Sequence, residues 1–217
     1  MTPKDIRIRR GTREDADFLA RTMLAASRAH LPRGAWDLII GADERGCLDY
    51  LGRLVVSLPR SLCHYESFVV GEIEGQPAGA LCTFDSRAGG WETVGEVMVN
   101  VQRDLGWTDA DLAASQKRVA PVWSCFLPDV GADWEIENVA TRSEYRRQGV
   151  AKSLIEHAVS EGVKRAGSLA QIITFIGNEA AQSVYEGCGF RRSDERRCPE
   201  MASVLGTPGF VRLVRKL

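Results

Sequence analysis

Histidine is scarce in this 217-residue chain. Only His30, His64 and His157 occur, and none of the six cysteines stands in a C-x-x-C pair. Zinc-type ligand spacing is therefore absent, and the expectation is no metal. No apolar run approaches the roughly 18 residues that a membrane span needs. The first residues, Met1-Thr2-Pro3-Lys4-Asp5, pass into alternating Ile and Arg without an apolar signal core, the mark of a mature cytoplasmic start. Neither sign of charge prevails: 28 Lys and Arg face 29 Asp and Glu, a net charge of −1. That balance argues against nucleic acid as a partner. The two best-known phosphate loops, G-x-x-x-x-G-K-[ST] and G-x-G-x-x-G, are also missing.

The sequence that remains is ordinary for a globular chain, with 44% hydrophobic and 26% charged residues. A chain of this length buries about 70% of its unfolded surface and needs no staple. The six cysteines (Cys47, Cys63, Cys82, Cys125, Cys188 and Cys198) are therefore read as reduced, partly buried thiols. Charge is unevenly spread. Residues 1–90 are neutral, residues 91–145 carry a net −6 and residues 146–217 a net +5. An acidic middle beside a basic end is what a site joining a cationic to an anionic ligand would show, although a chance surface distribution has the same appearance.

Ile6 and Ile8 alternate with arginines as a short strand. Thr12, with Asp15 three residues on, opens a helix whose apolar positions are Ala16, Leu19, Ala20, Met23 and Leu24. A second helix is expected from about Glu44 to Ser57. Residues 67–73 and 78–84 form a hairpin through the turn at 74–77. Residues 86–132 read as a mainly helical insertion. It opens at Gly89-Gly90, has a helix start at Thr108 and Asp111, and is closed by Pro121 and Pro128. Residues 134–140 form a strand whose alternation puts Glu135, Glu137 and Val139 on one face. A helix with a clean apolar stripe begins at Val150 and stops at Gly167, and residues 169–176 form a buried strand. Strand, helix, strand predicts a parallel pair. A short helix follows Gly177-Asn178, with Ala181, Val184, Tyr185 and Cys188 on one stripe, and residues 210–217 form a last strand. The fold class is α/β, a mixed central sheet flanked by helices.

The most informative segment is Arg146-Arg147-Gln148-Gly149-Val150-Ala151-Lys152, between a strand and an amphipathic helix. A helix start leaves amides unpaired and carries partial positive charge. Gly149 and Ala151 keep the approach clear, and three basic side chains add charge, so a pyrophosphate fits there. An ordinary helix start with solvated arginines has the same composition.

This R-x-x-G-x-A turn, together with VAT at 139–141, EYRRQGVAKSLI at 144–155 and NEAAQSVYEGCGF at 178–190, resembles the acyl-CoA core of the GNAT superfamily of N-acetyltransferases. The resemblance is firm over residues 134–190, about a quarter of the chain. Ser143 departs from the proline often found at that place. The resemblance implies one N-acetyltransferase domain over residues 1–217, with acetyl-CoA as co-substrate. The backbone of Val139, Ala140 and Thr141 would pair with the pantetheine arm. The turn from Arg146, Arg147, Gln148 and Gly149 through Val150, Ala151 and Lys152 would hold the pyrophosphate. Asn178 would cap its helix and touch the cofactor arm. Tyr185 would protonate the departing thiolate, and Glu137, with Glu135 second, would take the proton of the attacking amine. Those same side chains could be core tyrosine, plain N-cap and rim carboxylates. The resemblance also allows a homodimer. A small-molecule amine is favoured as acceptor over a protein lysine or N-terminus. The alternative outside enzymes is a regulatory module that binds acyl-CoA without turnover.

Overall fold

A computed structural model describes residues 5–88 and 91–217. Its strands are β1 (Ile6–Arg10), β2 (Phe68–Ile73), β3 (Gln76–Asp85), β4 (Trp134–Thr141), β5 (Leu169–Phe175), β6 (Arg191–Arg197) and β7 (Gly209–Lys216). They form one mixed sheet in the order β1-β2-β3-β4-β5-β7-β6, antiparallel throughout except for the β4–β5 pair. The helices are α1 (Ala16–Arg28), α2 (Ala35–Ile40), α3 (Glu44–Val56), α4 (Trp91–Asp104), α5 (Asp109–Ser124), α6 (Val150–Lys164), α7 (Glu179–Gly187) and α8 (Pro199–Leu205). α6 and α7 pack on one face of the sheet, and the others pack on the opposite face. The α/β class, the hairpin and the parallel strand–helix–strand unit all follow the expectation.

Alternation in the strands divides the core between the two layers. Phe68 and Val70 of β2 and Ala80 and Cys82 of β3 turn toward α1 and α3, while Val69 and Leu81 turn toward α6. The hairpin is tighter than the predicted four-residue turn. Ile73 pairs with Gln76, leaving Glu74 and Gly75 as a two-residue loop with φ of 54° and 74°, the geometry that suits strand twist. At the start of α1, the Asp15 carboxylate accepts from the Thr12 amide at 2.8 Å and from both ends of the Arg9 guanidinium. The same guanidinium reaches Glu72 at 2.6 Å, so one arginine ties β1, β2 and the helix entrance together.

The helical character of residues 91–124 agrees with expectation, and the Thr108–Asp111 capping box is present. Gly89-Gly90 and Met1–Lys4, on which part of the sequence reading falls, lie outside the described residues. Pro121 does not close the insertion. It lies inside α5, whose last turn continues to Ser124, anchored by buried Val119, Val122 and Cys125. Cys125 and Cys198 form a disulfide between the end of α5 and the start of α8, which corrects the expectation that all six cysteines are reduced. Cys47, Cys63, Cys82 and Cys188 are free and buried. α2, β6 and α8 were not anticipated. β6 reads RRSDERR, an exposed edge strand with no apolar alternation to reveal it. Among the described residues no helix is long and apolar enough to cross a membrane.

The entrance to α6 is set by close packing. A Cβ on Gly79 would stand 2.8 Å from both the Ala140 carbonyl oxygen and Val150 Cγ1. Gly52, inside α3, has nothing within 4 Å of such an atom. Opposite outcomes are expected from the two glycines. Gly79→Ala should lower the urea midpoint, at a cost of about 1–3 kcal/mol. Gly52→Ala should raise it, by up to about 1 kcal/mol of helix propensity. A Gly79→Ala chain as stable as the parent would refute the packing argument.

Candidate active site

Register pairs between β4 and β5 are confined to Trp134 with Ala170 and Glu135 with Gln171. Beyond them the strands part, and residues 136–141 and 172–175 line the space between. The backbone of β4 facing that space has no ladder partner there, although buried amides and carbonyls ordinarily demand one. On its other side β4 remains paired to β3, with an irregularity between Ala80 and Cys82. Cys82 lies opposite Glu137 and Ala80 opposite Ala140, so two residues of β4 are set against one of β3. Asn138 takes the bulge with φ of 55°, a conformation asparagine tolerates better than most.

The bulge corrects the expected alternation. Glu135 and Glu137 do share a face, that of α1 and α3, since they pair with Phe84 and Cys82. Asn138 joins them, donating from Nδ2 to Cys82 Sγ at 3.4 Å. Val139 turns the other way and packs in the α6 layer.

At the far end of β4, the chain turns through Arg147 (φ 60°) and Gly149 (φ 87°) into α6. A side chain at Gly149 would be strained by its left-handed backbone. From Arg147 to Lys152 the amides donate to no acceptor among the described residues, and the first helical bond there runs from Ser153 to Gly149. Arg146 and Arg147 are exposed and form no ion pair among the described residues. Lys152 meets Glu156 at 3.8 Å. Gln148 donates to the Glu144 carbonyl at 3.0 Å, while its Oε1 and the Thr141 hydroxyl are buried without a partner. Six free amides, the unpartnered Thr141 hydroxyl and surplus positive charge at a helix start are donors of the kind an anion such as a diphosphate pairs with, whereas Gln148 Oε1 is an acceptor and adds nothing to such a site. The parted edge of β4 suits an extended, amide-bearing arm. Val150 is buried behind the turn, and Ala151 is half-buried.

The cleft opens into a cavity of about 570 Å³ whose lining reaches Thr141 and Arg146 but none of residues 147–152 of the turn. Glu137, half-buried, lines the cavity wall. Burial, with Glu135 adding like charge, raises its carboxyl to about 8. Glu135 does not line the cavity. It accepts from Gln171 Nε2 at 2.6 Å on the inner side, and burial raises it to about 7. Tyr185 faces the cavity, and its hydroxyl makes no hydrogen bond among the described residues. Burial and the negative charge of Glu137 raise its pKa, so it stays protonated. Asn178 lines the same cavity, but its side chain donates to Thr174 Oγ1 at 2.9 Å and does not cap α7, which corrects that part of the expectation.

Two further groups at the cavity, Cys63 and His30, escaped sequence reasoning because nothing local marks them. Cys63 is held at about 12 by burial and by Glu137, so it remains a thiol and is a poor nucleophile. The rest of the wall comes from the end of α1, from α2, α4 and α5, and from the loop at Leu62. Of the acidic side chains in residues 91–145, Glu137 alone among the described residues lines the cavity; Glu96, Asp104, Asp109, Asp111 and Asp129 are exposed. No group of three or more metal-binding side chains occurs among the described residues.

Residues 48–190 match the model of the acetyltransferase (GNAT) family. Over 60 residues the chain is 35% identical to the [ribosomal protein bS18]-alanine N-acetyltransferase of Escherichia coli strain K12. That match covers 28% of this chain and only 40% of the relative's length. Among solved structures, an acetyltransferase superposes with a TM-score of 0.66 over 95% of this chain and 97% of its own, at 17% identity. A NatC complex bound to Gag peptide and CoA superposes with a TM-score of 0.52 over 98% and 99%, at 16% identity. At such identities the likeness to solved structures is one of fold.

A carboxyl raised on folding binds its proton more tightly in the native state than in the unfolded chain. For Glu137 the resulting stability is complete below its ordinary range, near 4.5, and is lost as pH rises through about 8. Glu137→Gln removes the cost of ionisation. The variant should melt higher than the parent at pH 9, by roughly 5 °C or more, with little difference at pH 5. Equal melting curves at pH 9 would show that the carboxylate is not held in a desolvated place.

Proposed function

This chain belongs to the acetyltransferase (GNAT) family and is an acyltransferase, and on that premise we propose that it moves an acetyl group from acetyl-CoA to a primary amine of a small molecule, by direct attack in a ternary complex. The reading treats residues 1–217 as one N-acetyltransferase domain, with residues 86–132 inserted before the core strand. The observation that carries it is a cavity lined by Glu137, Tyr185 and the parted edge of β4, reaching as far as Arg146, where the turn with free amides begins.

The family's co-substrate is acetyl-CoA, which when bound supplies the acetyl thioester. The free amides of residues 147–152, with Arg146 and Arg147, would hold its pyrophosphate, and the backbone of Val139, Ala140 and Thr141 would pair with its arm. Asn178 lies beside that path. Glu137 accepts the proton of the acceptor's ammonium, directly or through water. An alkylammonium of pKa about 10.4 gives its proton to an ordinary glutamate at a cost of about 8 kcal/mol. With the carboxyl near 8 that cost falls to about 3 kcal/mol. Burial therefore does chemical work by turning a weak base into one closer to its substrate. Tyr185, kept protonated by its surroundings, delivers its hydroxyl proton to the departing thiolate sulfur. Direct attack is favoured over an acyl-cysteine route, because the cavity's thiol is Cys63 and its proton is firmly held.

One observation favours a protein N-terminus as acceptor: the Escherichia coli relative acetylates an alanine of ribosomal protein bS18. The helices over this cavity argue the other way. Ala35, Trp36 and Ile39 of α2, with Val94 and Met98 of α4 and Val122 of α5, give the cavity an apolar lining that offers a peptide's amide groups few partners.

Calorimetry should register acetyl-CoA binding to the parent, and Gly149→Val should weaken it at least about tenfold by straining the turn and blocking it. Thiol release on an amine substrate should fall about 100-fold or more in Glu137→Gln and in Tyr185→Phe. In the parent, kcat/KM should climb with pH to a limb near 8, and that limb should vanish in Glu137→Gln. Acetyl-CoA binding without thiol release on any amine would overturn the proposal.

A further inference from the structure

The cavity is asymmetric in its chemistry. Among the described residues Glu137 is the one acidic side chain that lines it, and Arg146, at the end toward the α6 turn, is the one Lys or Arg. Much of the remaining lining is apolar, with Trp36, Ile39, Leu62, Met98, Val122 and Phe126 among it, while His30, Asn138, Thr174 and Asn178 are among its polar side chains besides Tyr185. The rings continue beyond them, with Phe126 edge-on to Phe210 at 5.4 Å and Phe210 against Phe175 at 5.3 Å. The end of α1 contributes only small side chains, Ala25, Ala26, Ser27 and Ala29, which leaves the volume open.

On these grounds we propose that the acceptor is a primary monoamine with an apolar body, aromatic or aliphatic, whose ammonium meets Glu137 and whose body lies against the apolar side chains that α2, α4 and α5 turn to the cavity. The inference rests on the acetyl-transfer reading above and names the substrate class of that same site. One carboxylate answers one ammonium. A diamine or guanidino amine would carry a second cation among Met98, Val122 and Phe126, where no described side chain neutralises it, and a buried unpaired charge is costly. A peptide would bring amide groups into walls with few hydrogen-bonding partners. A long acyl chain could fill the same apolar space, but it would lay hydrocarbon against the Glu137 carboxyl and leave that polar group without a partner.

The test is thiol release by the full chain with saturating acetyl-CoA and a panel of acceptors: 2-phenylethylamine, hexylamine, ethylamine, spermidine, agmatine and an alanine-initiated peptide. Values of kcat/KM for 2-phenylethylamine and hexylamine should exceed that for ethylamine about 100-fold, from the apolar area they bury. They should also exceed those for spermidine, agmatine and the peptide. Met98→Glu should raise the ratio of spermidine to 2-phenylethylamine turnover about tenfold by supplying a second carboxylate. If that variant does not fold, inhibition of the parent reads the same feature. The uncharged 2-phenylethanol should compete with the amine, and failure to compete would count against the apolar walls. A preference for spermidine, agmatine or the peptide would overturn the monoamine inference while leaving acetyl transfer intact. So would hexanoyl-CoA outperforming acetyl-CoA with no dependence on the amine's body. No release with any acceptor would overturn both readings together.

Discussion

β4 is held to β5 by two register pairs at one end, Trp134 with Ala170 and Glu135 with Gln171, and by none beyond. Every part of the site depends on that early parting. Had the pairing continued, the backbone of residues 136–141 would be satisfied and nothing could lie along it. The strands part because each is claimed by a different neighbour. β4 stays with β3 out to Thr141, through a bulge, while β5 stays paired with β7 from Leu169 to Phe175. α6 covers the β2–β3–β4 half, pressed close by Gly71 and Gly79, and its first turn follows on from the end of β4. The cleft and the placing of the Glu137 carboxyl in its wall are thus consequences of one interrupted ladder.

The bulge at Asn138 gives the gap its chemistry. Without it Val139 would share the face of Glu137, and the cavity wall would alternate strictly. With it, Glu137 and Asn138 fall side by side, and Asn138 is tied to Cys82. The carboxyl then sits among Cys63, Cys82 and the α1 layer, where little solvates it, with a second carboxyl behind. Low polarity and like charge act in the same direction and bring an acidic residue into the range of a working base. The same surroundings keep Tyr185 and the neighbouring thiols protonated, so one desolvated region sets the protonation of all these groups together.

What could be read from the sequence was local. The turn at 146–152 announces itself by Gly149 and the basic residues around it, and α6 by a stripe repeated over four turns. Both lie where expected. The capping pairs Thr12–Asp15 and Thr108–Asp111 span three residues and were legible for the same reason. Alternation failed at Asn138 because a bulge is a property of two strands, and its partner irregularity lies at Ala80–Cys82, more than fifty residues away. The Cys125–Cys198 bond, 73 residues apart, and the contribution of Cys63 and His30 to the cavity are likewise products of assembly. The acidic segment misled in another way. Its charge was real, but helix periodicity turned most of it outward and sent the apolar stripes of α4 and α5 inward.

That inward stripe bears on selectivity, because the wall it forms is anchored on more than one side. Arg118 of α5 donates to the carbonyls of Leu38 and Ile39 at 2.8 and 3.1 Å, and Ser115 donates to Ile39 at 2.6 Å, so α5 is bonded to the last turn of α2. At its far end Cys125 bonds α5 to the start of α8, and the Arg212 guanidinium, buried beneath, donates to the Pro128 carbonyl just past α5. A wall tied to three other parts of the fold presents its apolar surface already shaped. A site shaped before binding discriminates by what it cannot accommodate. Here the excluded feature is a second charge, and the exclusion comes from anchored apolar side chains that offer a cation no partner.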